Sequence, residues 1–113
     1  MEKIVEQGLL YDFYGELLTE HQKAIYEDVV FNDLSLSEIA REQGISRQGV
    51  HDMIKRCDRI LTGYEDKLGL VNKFLKTKQM VKEIHRLAGE FDQTSDRMLI
   101  EQIGQISNNI MEL

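Results

Sequence analysis

The 113-residue sequence contains no proline, no tryptophan and a single cysteine, Cys57. One cysteine cannot form an intramolecular disulfide, so we expect packing to hold the fold together in a reducing compartment. The alternation of β-branched and polar residues that marks strands is also missing. Apolar residues, 42% of the chain, recur instead at three- and four-residue steps. The sequence therefore predicts an all-α fold of about five to six helices.

Other absences narrow the function. No apolar run is long enough for a membrane span or a signal peptide, so we expect a cytoplasmic protein without a membrane span. Phosphate-binding loops, dinucleotide fingerprints and zinc-binding H-E-x-x-H motifs do not occur, and the three histidines are scattered. Adjacent acids such as Glu65–Asp66 are expected on solvated helix faces. We expect no cofactor, no metal and no catalytic residue, and thus no enzyme.

The net charge of −6 is unevenly distributed. Residues 1–34 contain eight acids and two bases, whereas residues 35–62 contain four acids and five bases. A further group of five bases faces only one acid, Glu83, and we call it the second basic set: Lys73, Lys76, Lys78, Lys82 and Arg86. Such a run is usually a solvated helix face, and the alternative is a secondary patch that contacts nucleic acid or an acidic partner.

Residues 34–61 predict a helix-turn-helix. Ser35 and Glu38 have the S-x-x-E form of a capping box, which satisfies two amides at a helix start. Gly44 stands where a helix would end in a left-handed residue, and Ser46 is a natural N-cap for the next helix. Apolar residues then recur on one face of that second helix: Val50, Met53 or Ile54, Cys57, Ile60 and Leu61. Together these signals specify the motif more strongly than any one of them.

The remaining segments predict supporting helices within one domain, residues 1–113. One helix is expected over about Lys3 to Leu18, and Thr19 with Gln22 forms a capping box for a second helix that ends near Phe31. The second helix of the helix-turn-helix is expected to stop at Gly69, with or without a kink at Gly63.

Residues 70–113 predict a C-terminal helical hairpin, with breaks at Gly89 and at Asp92 to Ser95. Thr94 or Ser95 is expected to cap the last helix. Five apolar residues of that helix follow a four–three–four–three spacing, which we call the seam: Leu99, Ile103, Ile106, Ile110 and Leu113. The seam is expected to pack on its own domain or to form a homodimer through this hairpin.

The stretch LSLSEIAREQGISRQGVHDMIKRCDRIL resembles the helix-turn-helix of sigma factor region four, which reads promoter DNA. The resemblance implies that five side chains face the bases: Arg47, Gln48, His51, Asp52 and Lys55. Ser46 and Arg56 would lie near phosphates. Two positions depart from that motif, because Gln43 stands where an apolar residue is usual and Asp52 places a negative charge on the reading side.

Nearly the whole chain is similar to the YlxM family of small bacterial proteins, through YDFYGELLTEHQKAIYEDVV, DLSLSEIAREQGISRQGVHDMIKRC and YEDKLGL. Members of that family are encoded beside the signal recognition particle GTPase in Gram-positive bacteria. The resemblance implies a non-enzymatic accessory or regulatory role in that pathway, with the particle's GTPase, its RNA or both as partners. Two alternatives stay open: a transcription regulator that binds duplex DNA, and a scaffold whose acidic N-terminal helices bind a basic partner.

Overall fold

The computed structural model describes residues 1–113, which form six α-helices and no strand, as the sequence predicted. The helices are α1 (Lys3–Tyr14), α2 (Glu20–Val30), α3 (Leu36–Gln43), α4 (Arg47–Leu68), α5 (Leu70–Thr94) and α6 (Arg97–Met111). A short 3-10 turn, Gly15–Leu17, follows α1. No helix combines the length and the apolar character that are needed to cross a membrane.

Two capping boxes start the helices that lead into the motif, and both were predicted. At α2 the Gln22 amide donates to Thr19 Oγ1 at 3.2 Å, and the Thr19 amide donates to Gln22 Oε1 at 2.9 Å. At α3 the Ser35 and Glu38 pair makes the same two bonds, each 3.1 Å long. The hydrogen bonds from the Ser35 amide and side chain hold the pKa of Glu38 below its ordinary value. Each box satisfies amides that have no partner inside the helix.

The turn between α3 and α4 also forms as predicted. Gly44 has φ of +67°, the left-handed conformation that ends a helix and costs glycine little. The Gly49 amide then donates to Ser46 Oγ at 2.9 Å and caps α4. That helix continues through Gly63 without interruption and ends before Gly69, which has φ of +65°.

Three boundaries differ from the sequence prediction. Helix α1 ends at Tyr14 rather than at Leu18, because the chain tightens into the 3-10 turn and then becomes extended. Helix α5 runs through Gly89 and on to Thr94, so the break predicted at Gly89 was wrong and the one predicted at Asp92 to Ser95 is confined to Ser95 and Asp96. A glycine inside a helix costs only about 1 kcal/mol, which 25 residues of helix tolerate.

The cap of α6 is the third difference. Asp96, rather than Thr94 or Ser95, is its N-cap, with Oδ1 accepting from the Met98 amide at 2.9 Å. Ser95 instead adopts φ of +56° and makes the turn between α5 and α6. Serine, threonine and aspartate are all good N-caps, so the sequence could not identify which of three consecutive candidates would be used.

The contacts of the chain divide it into two compact units, Met1–Val71 and Asn72–Leu113. In the first unit α4 is central, because α1, α2 and α3 all pack against it. The first unit has an extensive core: Leu10, Tyr14, Leu18, Ile25, Tyr26, Ile39, Val50, Ile54, Cys57, Leu61 and Val71. In the second unit only Leu87 and Leu99 are fully buried. The assignment of residues 1–113 to one domain stays a prediction.

Tyrosine hydroxyls join the first two helices to α4. The Tyr26 hydroxyl donates to Asp58 Oδ1 at 2.6 Å, and Gln7 Nε2 donates to the same oxygen at 3.0 Å. Burial, followed by the bond to Asp58, raises the pKa of Tyr26 above its ordinary value. One carboxylate on α4 is therefore held from α1 and α2 at once, and the helix-turn-helix is braced from behind.

A second tyrosine–carboxylate pair braces the far end of α4. The Tyr14 hydroxyl donates to Glu65 Oε1 at 2.6 Å, and that oxygen also accepts from the Val71 amide at 3.0 Å. The Leu70 amide donates to the Tyr14 hydroxyl at 3.1 Å. The expectation that Glu65 lies on a solvated face was therefore wrong, since it caps the start of α5 from inside the first unit.

Candidate nucleic-acid interface

The two faces of α4 have opposite character. Val50, Ile54, Cys57 and Leu61 follow one another at steps of four, three and four, and all are buried. Burial raises the pKa of the Cys57 thiol to about 11, as expected for a core thiol rather than a reactive one. Because a helix turns by roughly 100° per residue, the opposite face of α4 points outward over its whole length.

Gln48, Asp52 and Lys55 lie on that outward face. His51 flanks it, and Arg47 is exposed in the first turn on the side nearer the core. We call the following five residues, all exposed, the reading face: Arg47, Gln48, His51, Asp52 and Lys55. Helix geometry places Gln48, His51 and Lys55 near its middle, with Arg47 at one edge. Ser46 and Arg56, the two residues predicted near phosphates, are exposed as well. The motif thus brings all seven predicted residues to the surface of one helix and its cap.

Arg59 belongs to the same surface and was missed. It lies four residues after Lys55, is exposed, and extends the outward face by one turn. The four-residue step from Lys55 was visible in the sequence. The resemblance to sigma factor region four supplied the site residues, however, and it assigned none beyond Arg56.

The charges of this surface are predominantly positive. None of Arg47, Lys55 and Arg56 takes part in an ion pair. The one acid, Asp52, accepts a hydrogen bond from Gln48 Nε2 at 2.9 Å. His51 Nδ1 lies 3.9 Å from the same carboxylate oxygen. Asp52 therefore orients Gln48 and offsets one positive charge, while three cations stay available for phosphates.

A shallow cleft opens beside the reading face, between the start of α3 and the start of α4. Its volume is about 460 Å³, and Leu36, Arg47, Gln48 and His51 line it. The start of α4 also opens on this side, and the amides at a helix N-terminus favour anions. The arrangement offers an apolar contact, an arginine, an amide and an imidazole to one ligand surface.

The second basic set does not form one face of α5. Lys78, Lys82 and Arg86 are four residues apart and lie along one side. Lys73 and Lys76 are turned away from Lys78 by roughly 140° or more. A role of the set in binding stays a prediction.

One member of the second basic set, Arg86, already has its charge neutralised by glutamates of the same helix. Its guanidinium bonds to Glu83 at 2.6 and 3.1 Å and to Glu90 at 3.0 Å. These carboxylates, Glu83 first, raise the pKa of Arg86. Lys78 Nζ lies 5.9 Å from the centre of the Phe74 ring, so its charge faces an aromatic surface. The reading face is therefore the stronger candidate for polyanion binding.

The capped α3, the left-handed Gly44 and the outward-facing α4 define a helix-turn-helix protein. A family model described as "Putative helix-turn-helix protein, YlxM / p13 like" matches residues 1–103. The chain belongs to this family.

Curated relatives agree over most of their length. A UPF0122 protein from Acetivibrio thermocellus is 42% identical over 116 aligned positions, with 99% of each chain covered. A UPF0122 protein from Desulforamulus reducens is 47% identical over 90 positions, which cover 79% of this chain and 77% of the relative. One from Caldanaerobacter subterraneus subsp. tengcongensis is 51% identical over 79 positions, covering 70% and 65% of the two chains.

Proposed function

We propose that this protein is a non-enzymatic regulator that binds nucleic acid through the reading face and acts as an accessory in the signal recognition particle pathway. The observation that carries the nucleic-acid part is the exposure of Arg47, Lys55 and Arg56, none of them in an ion pair, around a helix whose core-facing side is buried. A rigid helix that presents cations outward is the usual way in which a helix-turn-helix meets phosphates and base edges.

The local charge supports binding although the whole chain is acidic. Residues 35–62 have one more base than acid, and the acidic excess lies in residues 1–34. Each phosphate contact releases counterions, so a few well-placed cations produce salt-dependent affinity even on an acidic protein. Arg47 and Gln48, at the start of α4, are the side chains best suited to base edges, because arginine and glutamine make bidentate bonds to guanine and adenine.

The pathway assignment has a separate basis. It comes from the resemblance to the YlxM family, whose members are encoded beside the signal recognition particle GTPase, and family membership supports it. The expected partners are the particle's RNA and its GTPase. Contact with that RNA would use the cations as phosphate ligands, since side chains cannot read the deep, narrow major groove of A-form RNA.

The shape of the motif favours a second candidate, a transcription regulator that binds duplex DNA. A helix with side chains is roughly 10–12 Å wide, which matches the major groove of B-form DNA at about 12 Å. In that complex Asp52 would face the groove, where a carboxylate can accept a hydrogen bond only from a donor such as the amino group of cytosine. Asp52 would then select sequence at a cost in overall affinity.

One capture experiment tests the proposal. Tagged protein is incubated with a bacterial lysate, with and without nuclease, and the retained RNA, DNA and proteins are identified. We expect nucleic acid to be retained by the natural chain and lost after Arg47→Ala combined with Lys55→Ala. Recovery of the particle's RNA or GTPase supports the pathway assignment, whereas recovery of duplex DNA alone supports the transcription regulator.

The control is Lys67→Ala, which removes one positive charge from the exposed C-terminal turn of the same helix. It should leave capture unchanged. Equal retention by the double variant and the natural chain would refute binding through the reading face, and so would equal losses in the double variant and the control.

A further inference from the structure

Helix α6 leaves one side of its apolar surface exposed, whereas its seam is mostly covered. Its segment contains eight apolar residues of large or medium size: Met98, Leu99, Ile100, Ile103, Ile106, Ile110, Met111 and Leu113. Only Leu99 is fully buried, and the other four residues of the seam are half-buried. The seam is therefore mostly covered within the chain, and the exposed apolar side chains of α6 are Met98, Ile100 and Met111.

A second stripe runs beside the seam and is more exposed. It consists of Ile100, Gly104, Ser107 and Met111, at steps of four, three and four. Ile100 is 50% exposed and Met111 is 82% exposed. A Cβ atom added at Gly104 would meet nothing within 4 Å, so this position is an open notch. Large residues at both ends and small ones in the middle suit close approach of another helix.

The size of the second unit explains why this surface matters. Residues 72–113 are too few to build a core of their own, because chains this short usually need a staple or an associated partner. Leu87 and Leu99 are the only fully buried side chains in the unit. Association that covers α6 would supply the burial that the unit lacks.

The stripe and its flanking charges match a second copy of the same helix in the opposite direction. In an antiparallel pair centred between Gly104 and Ser107, Ile100 of each copy lies against Met111 of the other. Arg97, at the start of α6, then lies near Glu112, at its end. A parallel pair would instead bring the two Glu112 side chains together at the C-terminal end, which disfavours it.

We propose that α6 is a self-association surface on which a second copy of this chain docks antiparallel, through the Ile100–Gly104–Ser107–Met111 stripe. The pair is isologous, so each contact occurs twice. This surface is independent of the reading face. A dimer would present two reading faces, which strengthens binding to paired sites without any new contact to nucleic acid.

The mass of the full chain in solution tests the proposal. Sedimentation velocity from low micromolar to submillimolar concentration should show a shift from the 13.2 kDa monomer to twice that mass. Ile100→Glu combined with Met111→Glu should remove the shift and leave helical content unchanged. The matched control is Val5→Glu on α1, since Val5 is also 50% exposed, and it should still dimerise. A natural chain that stays monomeric throughout, or a double variant that dimerises like the control, would overturn the proposal.

Cysteine cross-linking tests the orientation. In a Cys57→Ala background, chains with Ile100→Cys are mixed with differently tagged chains with Met111→Cys and oxidised. Antiparallel docking predicts disulfides between the two kinds of chain. Disulfides confined to pairs of identical chains would contradict the antiparallel arrangement.

Discussion

The bond from Tyr26 to Asp58 gives a direct test of how the helix-turn-helix is held. The Tyr26 side chain is fully buried, and its hydroxyl donates to Asp58 Oδ1 at 2.6 Å. Tyr26→Phe removes that hydroxyl and retains the ring, including its stacking on Tyr11 at a centroid distance of 5.7 Å. The change therefore isolates one hydrogen bond to a carboxylate.

The expected loss follows from the geometry. A hydrogen bond to a charged group contributes about 1.5–3 kcal/mol. Asp58 keeps its two bonds from Gln7 Nε2, at 3.0 and 3.2 Å, so it is not left without a donor. We therefore expect Tyr26→Phe to lower the free energy of unfolding by about 1.5–2 kcal/mol, the lower part of that range. For a unit of this size each 1 kcal/mol corresponds to roughly 4–8 °C in Tm.

Urea unfolding followed by circular dichroism measures this loss. The m value should stay unchanged, because the same surface becomes exposed. Tyr11→Phe is the matched control, since the Tyr11 hydroxyl also donates to a carboxylate, Glu27, but in an exposed setting. Its cost should be below about 1 kcal/mol. A loss for Tyr26→Phe no larger than for Tyr11→Phe would refute the idea that the buried bond braces the motif.

Three further predictions concern the backbone, pH and charge. Gly63→Ala should stabilise the protein by about 0.5–1 kcal/mol, because Gly63 lies inside a helix and the added Cβ atom would meet nothing within 4 Å. Gly44→Ala should destabilise the protein by about 1–2 kcal/mol, because φ at Gly44 is positive. Thermal unfolding that gave both changes the same sign would contradict this. Burial raises the pKa of the Cys57 thiol from 9.0 to about 11. The stability that the buried, protonated thiol contributes is therefore complete below pH 9 and is lost as the pH rises through 11. Urea midpoints that do not decrease between these two pH values would contradict this prediction. Asp52→Asn keeps a hydrogen-bond acceptor on the reading face and removes its negative charge. The change should tighten duplex binding by about 1 kcal/mol, or roughly fivefold, in a titration at fixed salt. Weaker binding by this variant would count against phosphate contact at the reading face.

Local chemistry made much of this fold predictable. Signals that span no more than four residues of sequence predicted both capping boxes, the left-handed Gly44 and the Ser46 cap. All of these features form. The buried face of α4 follows from helical periodicity, and it resolves the choice between Met53 and Ile54 in favour of Ile54. Because the outward side is the remainder of the same helix, the exposure of the predicted site residues could be predicted as well, and their role in binding stays a prediction.

Long-range polar contacts were not predictable in this way. The Tyr14–Glu65 and Tyr26–Asp58 bonds join residues 51 and 32 positions apart, and no local spacing signals them. Glu65 was consequently placed in solvent. The break expected at Gly89 failed for the opposite reason, since a weak local signal was overridden by the continuity of a long helix.

The salt dependence of nucleic-acid binding tests the role of the reading face most directly. The slope of log affinity against log salt concentration counts phosphate contacts, at about 0.9 per contact on B-form DNA. For the natural chain we expect a steep slope, reduced by nearly two contacts after Arg47→Ala combined with Lys55→Ala and unchanged after Lys67→Ala. Salt-independent binding, or an unchanged slope in the double variant, would contradict nucleic-acid recognition by this helix.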